Sequence, residues 1–439
     1  MPKLFPYQRP SADQLELSLK KYGVGLDASD TGTGKTYIAC DVAKRFSPVN
    51  VAVVCPKVLI PSWERALKEF ELSTVFVLSY EKVRQGNTPW CSRSGKTQKS
   101  TRFNWHLPPR TLLIFDEVHK CKTRGSLNSR LLKQAKRQNI PRLMLSATAL
   151  ASPVDMEAIG YSLGMFSERD FYKWAFQHGC RKGQWGGMVF TKGPNYPALR
   201  KLHKEIFECK GVRLCIEDLA DEFPDGVVTA ETYPVKHPEK VDELYQSIQA
   251  KSQALQDEQS DIEGSVLTEI LRERQLIEMM KVPTMVELAK EELDEGRSVV
   301  LFVNFRDSVD ALQKLLSTDC TVTGTASKAE ETQREENIRR FNDNESKVII
   351  VSLSAGGAGL SLHDVHGGHP RTSLISPSYS AQDLIQALGR IRRAGGKSAA
   401  VQKIVFASGT VEEKIAASVR AKLGRLSALT DGDLGSPLF

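Results

Sequence analysis

Nowhere in the sequence is there an apolar run approaching the roughly twenty residues of a membrane-spanning helix, so no membrane role is expected. The first residues, Met1-Pro2-Lys3-Leu4-Phe5, lack the apolar core of a signal peptide. The eight cysteines are scattered and form no C-x-x-C pair. Cys40 and Cys55 fall in apolar runs and read as reduced core residues of an intracellular protein. Acids are missing altogether from residues 82 to 115. What remains is ordinary: 439 residues, 41% hydrophobic and 26% charged, the profile of a globular protein of two or three domains. A net charge of +7 is a mild lean towards polyanions.

The most informative stretch is Ala28-Ser29-Asp30-Thr31-Gly32-Thr33-Gly34-Lys35-Thr36. It follows a strand-like run, Val24 to Ala28, and opens a helix-like run, Tyr37 to Phe46. In that context Gly32 and Gly34 let the backbone N–H groups face an anion, and the helix N-terminus adds partial positive charge. Lys35 can reach the β- and γ-phosphates of a nucleotide, and the Thr36 hydroxyl can ligate Mg²⁺. The general phosphate-loop pattern has Gly where Ser29 stands. Upstream, Ser11 and Gln14 read as a capping box for a helix running to about Tyr22. Gln8, just before it, has an amide suited to an adenine edge.

Val51 to Cys55 is a continuous apolar run of strand length, as in a buried parallel sheet. A helix begins at Pro61-Ser62-Trp63-Glu64, and Thr74 to Leu78 is a further strand. The acid-free stretch carries Lys82, Arg84, Arg93, Lys96, Lys99, Arg102 and Arg110 interleaved with Trp90, Phe103 and Trp105. Basic and aromatic residues together can hold a nucleic-acid strand; equally, they can form a solvated loop whose aromatics pack on the domain. Thr111 to Phe115 is a buried strand that delivers Asp116 and Glu117 at its C-terminal end, where ligands bind in open parallel sheets. Asp116 would hold Mg²⁺ and Glu117 would deprotonate the attacking water. Arg142 to Leu145 repeats the pattern and ends in Ser146-Ala147-Thr148.

The order of Gln8, the GKT loop, Asp116-Glu117-Val118-His119 and Ser146-Ala147-Thr148 resembles a superfamily 2 helicase or translocase. Val53-Val54-Cys55-Pro56 with Trp63-Glu64 is similar to motif Ia of the Swi/Snf-like branch, and residues 116–122 with Ser126 to its extended DEAH box. The branch has Gly and Pro around motif III, where this chain has Ala147 and Ala149. Arg213 to Leu219 with Phe223-Pro224 resembles the end of the first lobe in annealing helicases. Ala355-Gly356-Gly357-Ala358-Gly359, after the strand Lys347 to Ser352, resembles motif V. Gln386 to Arg393 resembles motif VI, and on a helix Arg390 and Arg393 share a face. Compact size and motif spacing look like helicases of double-stranded DNA viruses and phages.

The resemblance implies an α/β fold of two RecA-like parallel-sheet lobes with an ATP cleft between them. The first lobe would span 1–225, with a helical insertion at about 156–225. The second would span 226–439, with a helical protrusion at about 237–292 whose charges read as solvated faces. ATP and Mg²⁺ would be the cofactors. Lys35, Glu117, Arg390 and Arg393 would be catalytic; Gln8, Gly32, Thr33, Gly34, Lys35, Thr36, Asp116 and Gly359 would bind nucleotide. Lys57, Trp63, Ser146, Thr148, Ser354, Gly356 and Gly357 would face nucleic acid, and Arg392 would make a structural or DNA contact. The implied activity is ATP-driven movement on double-stranded or forked DNA, with remodelling or annealing of strands, by an intracellular monomer. A strand-separating DNA or RNA helicase and an ATP-switched nucleic-acid scaffold are the alternatives. His363, His366 and His369 recur every third residue, as in a metal-binding run, but Gly367, Gly368 and Pro370 argue for a loop.

Overall fold

The computed structural model describes residues 2–423, apart from 47–49, 96, 98–99, 148–151, 184–186, 191–195, 217–218, 220–222, 258–262, 325–326, 354–359 and 378–380. The chain divides near residue 220 into two compact units. Each is built on a six-stranded, all-parallel sheet. These are two RecA-like α/β lobes.

The first sheet contains β1 (Val24–Asp27), β2 (Asn50–Cys55), β3 (Ser73–Ser79), β4 (Thr111–Asp116), β5 (Arg142–Leu145) and β6 (Gly211–Val212). Their order is β6-β1-β5-β4-β2-β3. The central strands read as apolar runs because helices cover both faces; every residue of β1, β4 and β5 is buried. Register decides function here. Leu145 is paired with Asp27 on one side and with Asp116 on the other. The segments leaving β1, β4 and β5 therefore start side by side on one sheet edge.

Several local expectations need correction. The first helix runs Arg9–Tyr22, with Gln8 at its N-cap and no side-chain cap bond. Pro10 in the first turn starts it early, and Ser11 is buried inside it, so Ser11 and Gln14 do not form a capping box. The acid-free stretch is not an open loop. After a short helix, Tyr80–Gln85, it folds into a three-stranded antiparallel sheet, Asn87–Thr88, Cys91–Ser94 and Arg102–Trp105. Alternation along the last strand turns Phe103 and Trp105 inward and Arg102 and Asn104 outward. Phe76 lies between Trp90 and Trp105, at centroid separations of 6.4 and 6.5 Å, so these aromatics belong to the core. The stretch expected as a helical insertion carries helices Glu157–Leu163, Phe171–Gln177 and Tyr196–Phe207, but then returns to the sheet as β6.

The second sheet contains β7 (Gly226–Tyr233), β8 (Ser298–Val303), β9 (Thr321–Val322), β10 (Val348–Ser352), β11 (Arg371–Ile375) and β12 (Ala400–Ala407), in the order β7-β12-β11-β8-β10-β9. The stretch expected as a helical protrusion forms two helices, Pro238–Asp257 and Glu263–Asp294. Its charges are not all solvated. Glu278 is 2% exposed and accepts from the backbone N–H groups of Asn304 and Phe305. Lys281 is 3% exposed and donates to Glu412 Oε1 at 2.9 Å. Glu412, fully buried, also accepts from Tyr245 Oη and from the Ala407 N–H. The C-terminal half of the long helix is thus core, packed on β8 through Val282, Met285, Val286 and Ala289. Removing one partner of such a pair leaves the other charge buried alone. Lys281→Met should therefore cost about 3–5 kcal/mol, read as an earlier chemical-denaturation midpoint; a loss below about 1 kcal/mol would show that water reaches the pair.

Candidate active site

The phosphate loop joins β1 to the helix Lys35–Arg45. Gly32 and Gly34 have φ of 88° and 87°, the left-handed region that glycine enters without strain. At Gly34 a Cβ would also lie 2.2 Å from Gln8 Nε2. Gln8 is buried; its Nε2 donates to Thr33 O at 2.8 Å, and its Oε1 accepts from the Phe5 N–H at 2.9 Å. Its amide thus braces the loop and keeps one N–H and one lone pair for other partners. Lys35 Nζ donates to Ser29 O at 2.7 Å and Asp30 O at 2.8 Å, so the ammonium lies over the loop it belongs to.

Ser29, in the position where the general pattern has glycine, has a structural reason. It is fully buried, and its Oγ accepts from the Leu214 N–H at 3.0 Å. Asp30 Oδ2 accepts from the Ile216 N–H, and the Asp30 N–H donates to Leu214 O. The chain leaving β6 is therefore strapped along the phosphate loop. Asp27 completes the base of the loop. It is fully buried, its Oδ1 accepts from the Ser29 N–H at 3.0 Å, and burial raises its pKa. Asp27, like Asp116, is an acid that ends a buried strand.

Asp116 ends β4 at 7% exposure. Its Oδ2 accepts from the Trp63 indole N–H at 2.8 Å, and its Oδ1 from the Glu117 N–H at 2.9 Å. Tyr80 Oη donates to its backbone carbonyl at 2.9 Å. Burial, then the charge of Glu117, pushes its carboxyl up to about 7. Glu117 has φ of 52°, uncommon for a residue with a side chain. That turn brings its Oε2 within 3.1 Å of His119 Nδ1, which is also 3.0 Å from Ser146 Oγ. The tautomer of His119 decides which neighbour it donates to. Glu117, His119 and Ser146 thus tie the end of β4 to the end of β5.

Trp63 is 1% exposed and Ser146 fully buried; both were expected to face nucleic acid. The structure puts Trp63 behind Asp116 and Ser146 against His119, with no open surface on either. Lys57 is exposed, at the turn following β2. Thr148, Ser354, Gly356, Gly357 and Gly359 lie outside the described residues.

In the second unit the helix Ala381–Leu388 ends inside the 386–393 stretch, before its arginines. Arg390 and Arg393 stand in the turn after it rather than on a shared helix face, because the Arg390 N–H takes the Ala387 carbonyl and its own carbonyl is taken by the Leu362 N–H. They still adjoin. Arg390 is 3% exposed and donates to Leu360 O; Arg393 donates to Gly389 O and Ser361 Oγ. Burial and the neighbouring Arg390 pull Arg393 down to about 9. Arg392 points elsewhere, donating to Pro224 O at 3.1 Å, a structural contact. The Asp364 carboxylate accepts from the N–H groups of His366, Gly367 and His369, which organises that histidine run as a loop. Among the described residues no group of three His, Cys, Asp or Glu could hold a metal.

Residues 1–151 match the family model described as type III restriction enzyme, res subunit, and residues 280–395 match the helicase conserved C-terminal domain. A putative ATP-dependent RNA helicase of Acanthamoeba polyphaga mimivirus is 34% identical over 98% of this chain and 84% of its own length. The chain belongs to the superfamily 2 helicases. It is an ATP-hydrolysing helicase or translocase. A DNA repair and recombination protein RAD54-like of Drosophila yakuba is 28% identical over 45% of this chain, which spans 24% of that relative's length. Among solved structures, Saccharomyces cerevisiae Dbp5 bound to RNA and ADP BeF3 covers 98% of this chain and 88% of its own, at a TM-score of 0.50 and 14% identity, a likeness of fold.

The raised carboxyl of Asp116 has a consequence for stability. Its folded pKa of about 7 lies above the ordinary 3.8, so between those values the folded chain holds a proton that the unfolded chain releases. Stability from this group is complete at low pH and is lost as pH rises towards 7. Thermal melting without nucleotide or metal should therefore depend less on pH between 4 and 7.5 in Asp116→Asn than in the wild type; equal slopes would contradict the assignment.

Proposed function

We propose that the chain is an ATP-driven motor on double-stranded or branched DNA, able to remodel forks or anneal strands. The observation that supports it most is the convergence of the phosphate loop, the Asp116–Glu117 pair and Ser146 on the ends of three adjacent strands. In this reading the N–H groups of Gly32, Thr33 and Gly34 cradle the phosphates, and Lys35 exchanges its loop carbonyls for phosphate oxygens. Gln8 fixes the loop and offers its remaining amide capacity to the base.

Asp116 and Thr36 would hold Mg²⁺. The fit is electrostatic: the Asp116 carboxyl, raised by burial and by Glu117 beside it, is relieved by a dication. When bound, the ion neutralises charge between the phosphates. Glu117, oriented by His119, takes the proton of the attacking water. Ser146 passes the state of that histidine to β5. Arg390 and Arg393, two adjoining guanidiniums of which the first is buried and the second partly exposed, suit a phosphate and would act as arginine fingers. Trp63 and Tyr80 serve as positioning residues for Asp116.

The choice of DNA draws support from the resemblance to the Swi/Snf-like branch and from relatives named for DNA repair and recombination. The name of the mimivirus relative favours a second reading, an RNA helicase. Steady-state ATP hydrolysis at one fixed low salt, alone and with single-stranded DNA, blunt duplex, forked duplex or RNA, separates them. Strong stimulation by duplex or fork is expected. Stimulation by RNA alone would move the assignment to the second reading, and none at all to an ATP-switched scaffold. Lys35→Ala should abolish both nucleotide affinity and turnover; retained hydrolysis would remove the phosphate-loop assignment.

A further inference from the structure

A cavity of about 560 Å³ lies in the first unit, away from the phosphate loop, between the small antiparallel sheet and the helix Leu127–Arg137. Its wall includes Arg102, Arg130, Lys133 and Arg137 and a single carboxylate, that of Glu168. The positive excess has a structural origin. On the strand Arg102–Trp105, alternation buries Phe103 and Trp105 and so turns Arg102 outward. The facing helix adds Arg130, Lys133 and Arg137, which are three and four residues apart and share one side.

The cations are not equivalent. Glu168 is shared by Lys133, at 3.6 Å, and Arg137. Lys133 also reaches Glu157 at 3.2 Å. Arg130 is a brace, donating to Thr101 O at 2.9 Å and Gly125 O at 3.2 Å. Arg102 is exposed, and its side chain makes no hydrogen bond or ion pair with any described residue. It therefore carries an uncommitted fork of donors on the rim of a cavity whose other cations are held in place.

We propose that this cavity holds a backbone phosphate of the nucleic acid on which the protein acts, with Arg102 as the contacting guanidinium and the Arg130–Lys133–Arg137 side as its preformed positive wall. The contact is independent of sequence, because a backbone phosphate carries no base identity. It anchors the first lobe to the strand at a place the helicase motifs do not reach. The inference rests on the nucleic-acid reading given above.

Salt dependence tests it. The affinity of the full chain for a fluorescently labelled 30-base-pair mixed-sequence DNA duplex is measured at several KCl concentrations, without nucleotide, for wild type, Arg102→Ala and Arg102→Lys. Each phosphate contact contributes about 0.9 to the slope of log affinity against log salt on duplex DNA. Arg102→Ala should weaken binding at low salt and lower the slope by about that amount, with an unchanged melting temperature. Arg102→Lys should keep the wild-type slope. An Arg102→Ala slope equal to that of the wild type, with the protein folded, would overturn the proposal and leave the nucleic-acid reading intact. If the wild type binds neither this duplex nor the equivalent single strand or RNA, both fall together.

Discussion

Asp116 and Glu117 are two adjacent carboxyls at the end of a buried strand, and that is an unfavourable place for charge. The cost appears as an Asp116 carboxyl pushed up to about 7. Everything around it reads as a response. Trp63 gives its one N–H to the carboxylate, Tyr80 holds the carbonyl behind it, and the Glu117 backbone closes the other oxygen. A buried carboxylate without such donors would protonate or move. A carboxylate with them stays in one geometry, ready for a cation.

The sheet order extends this constraint to the rest of the lobe. With β5 between β1 and β4, the base of the phosphate loop, the acid pair and the Ser146 turn have fixed separations before any ligand arrives. The strap after β6 adds a third side. Through Ser29 and Asp30 the loop is bonded to the segment that leads out of the first unit.

Much of this was legible in the sequence because parallel-sheet lobes write themselves as apolar runs ending in chemistry. The strands 24–27, 50–55, 111–116 and 142–145 each read that way, and so did the places of Lys35 at the start of the helix after β1 and of Asp116 at the end of β4. What was not legible had specific causes. β6 is two residues long and has no periodicity to detect. Arg390 and Arg393 were read on a helix that in fact ends at Leu388, since local spacing does not reveal that the Leu362 N–H takes the next turn's carbonyl. Trp63 looked like a surface contact, and Lys281 like one charge among many on a solvated helix. Each is set by a partner far away in sequence, Asp116 for one and Glu412 for the other. Charge patterns show that a residue is polar, not which partner it is buried with.

In the proposed mechanism the strained, His119-linked Glu117 is the base for water, and the arginines act on the phosphate rather than on that proton. Single-turnover ATP hydrolysis by Glu117→Gln, with nucleotide affinity measured separately on the same protein, tests it most directly. The account predicts that ATP binds with affinity close to wild type while the chemical step slows by about 10²–10⁴-fold. Hydrolysis at the wild-type rate would contradict it, and so would a loss confined to binding.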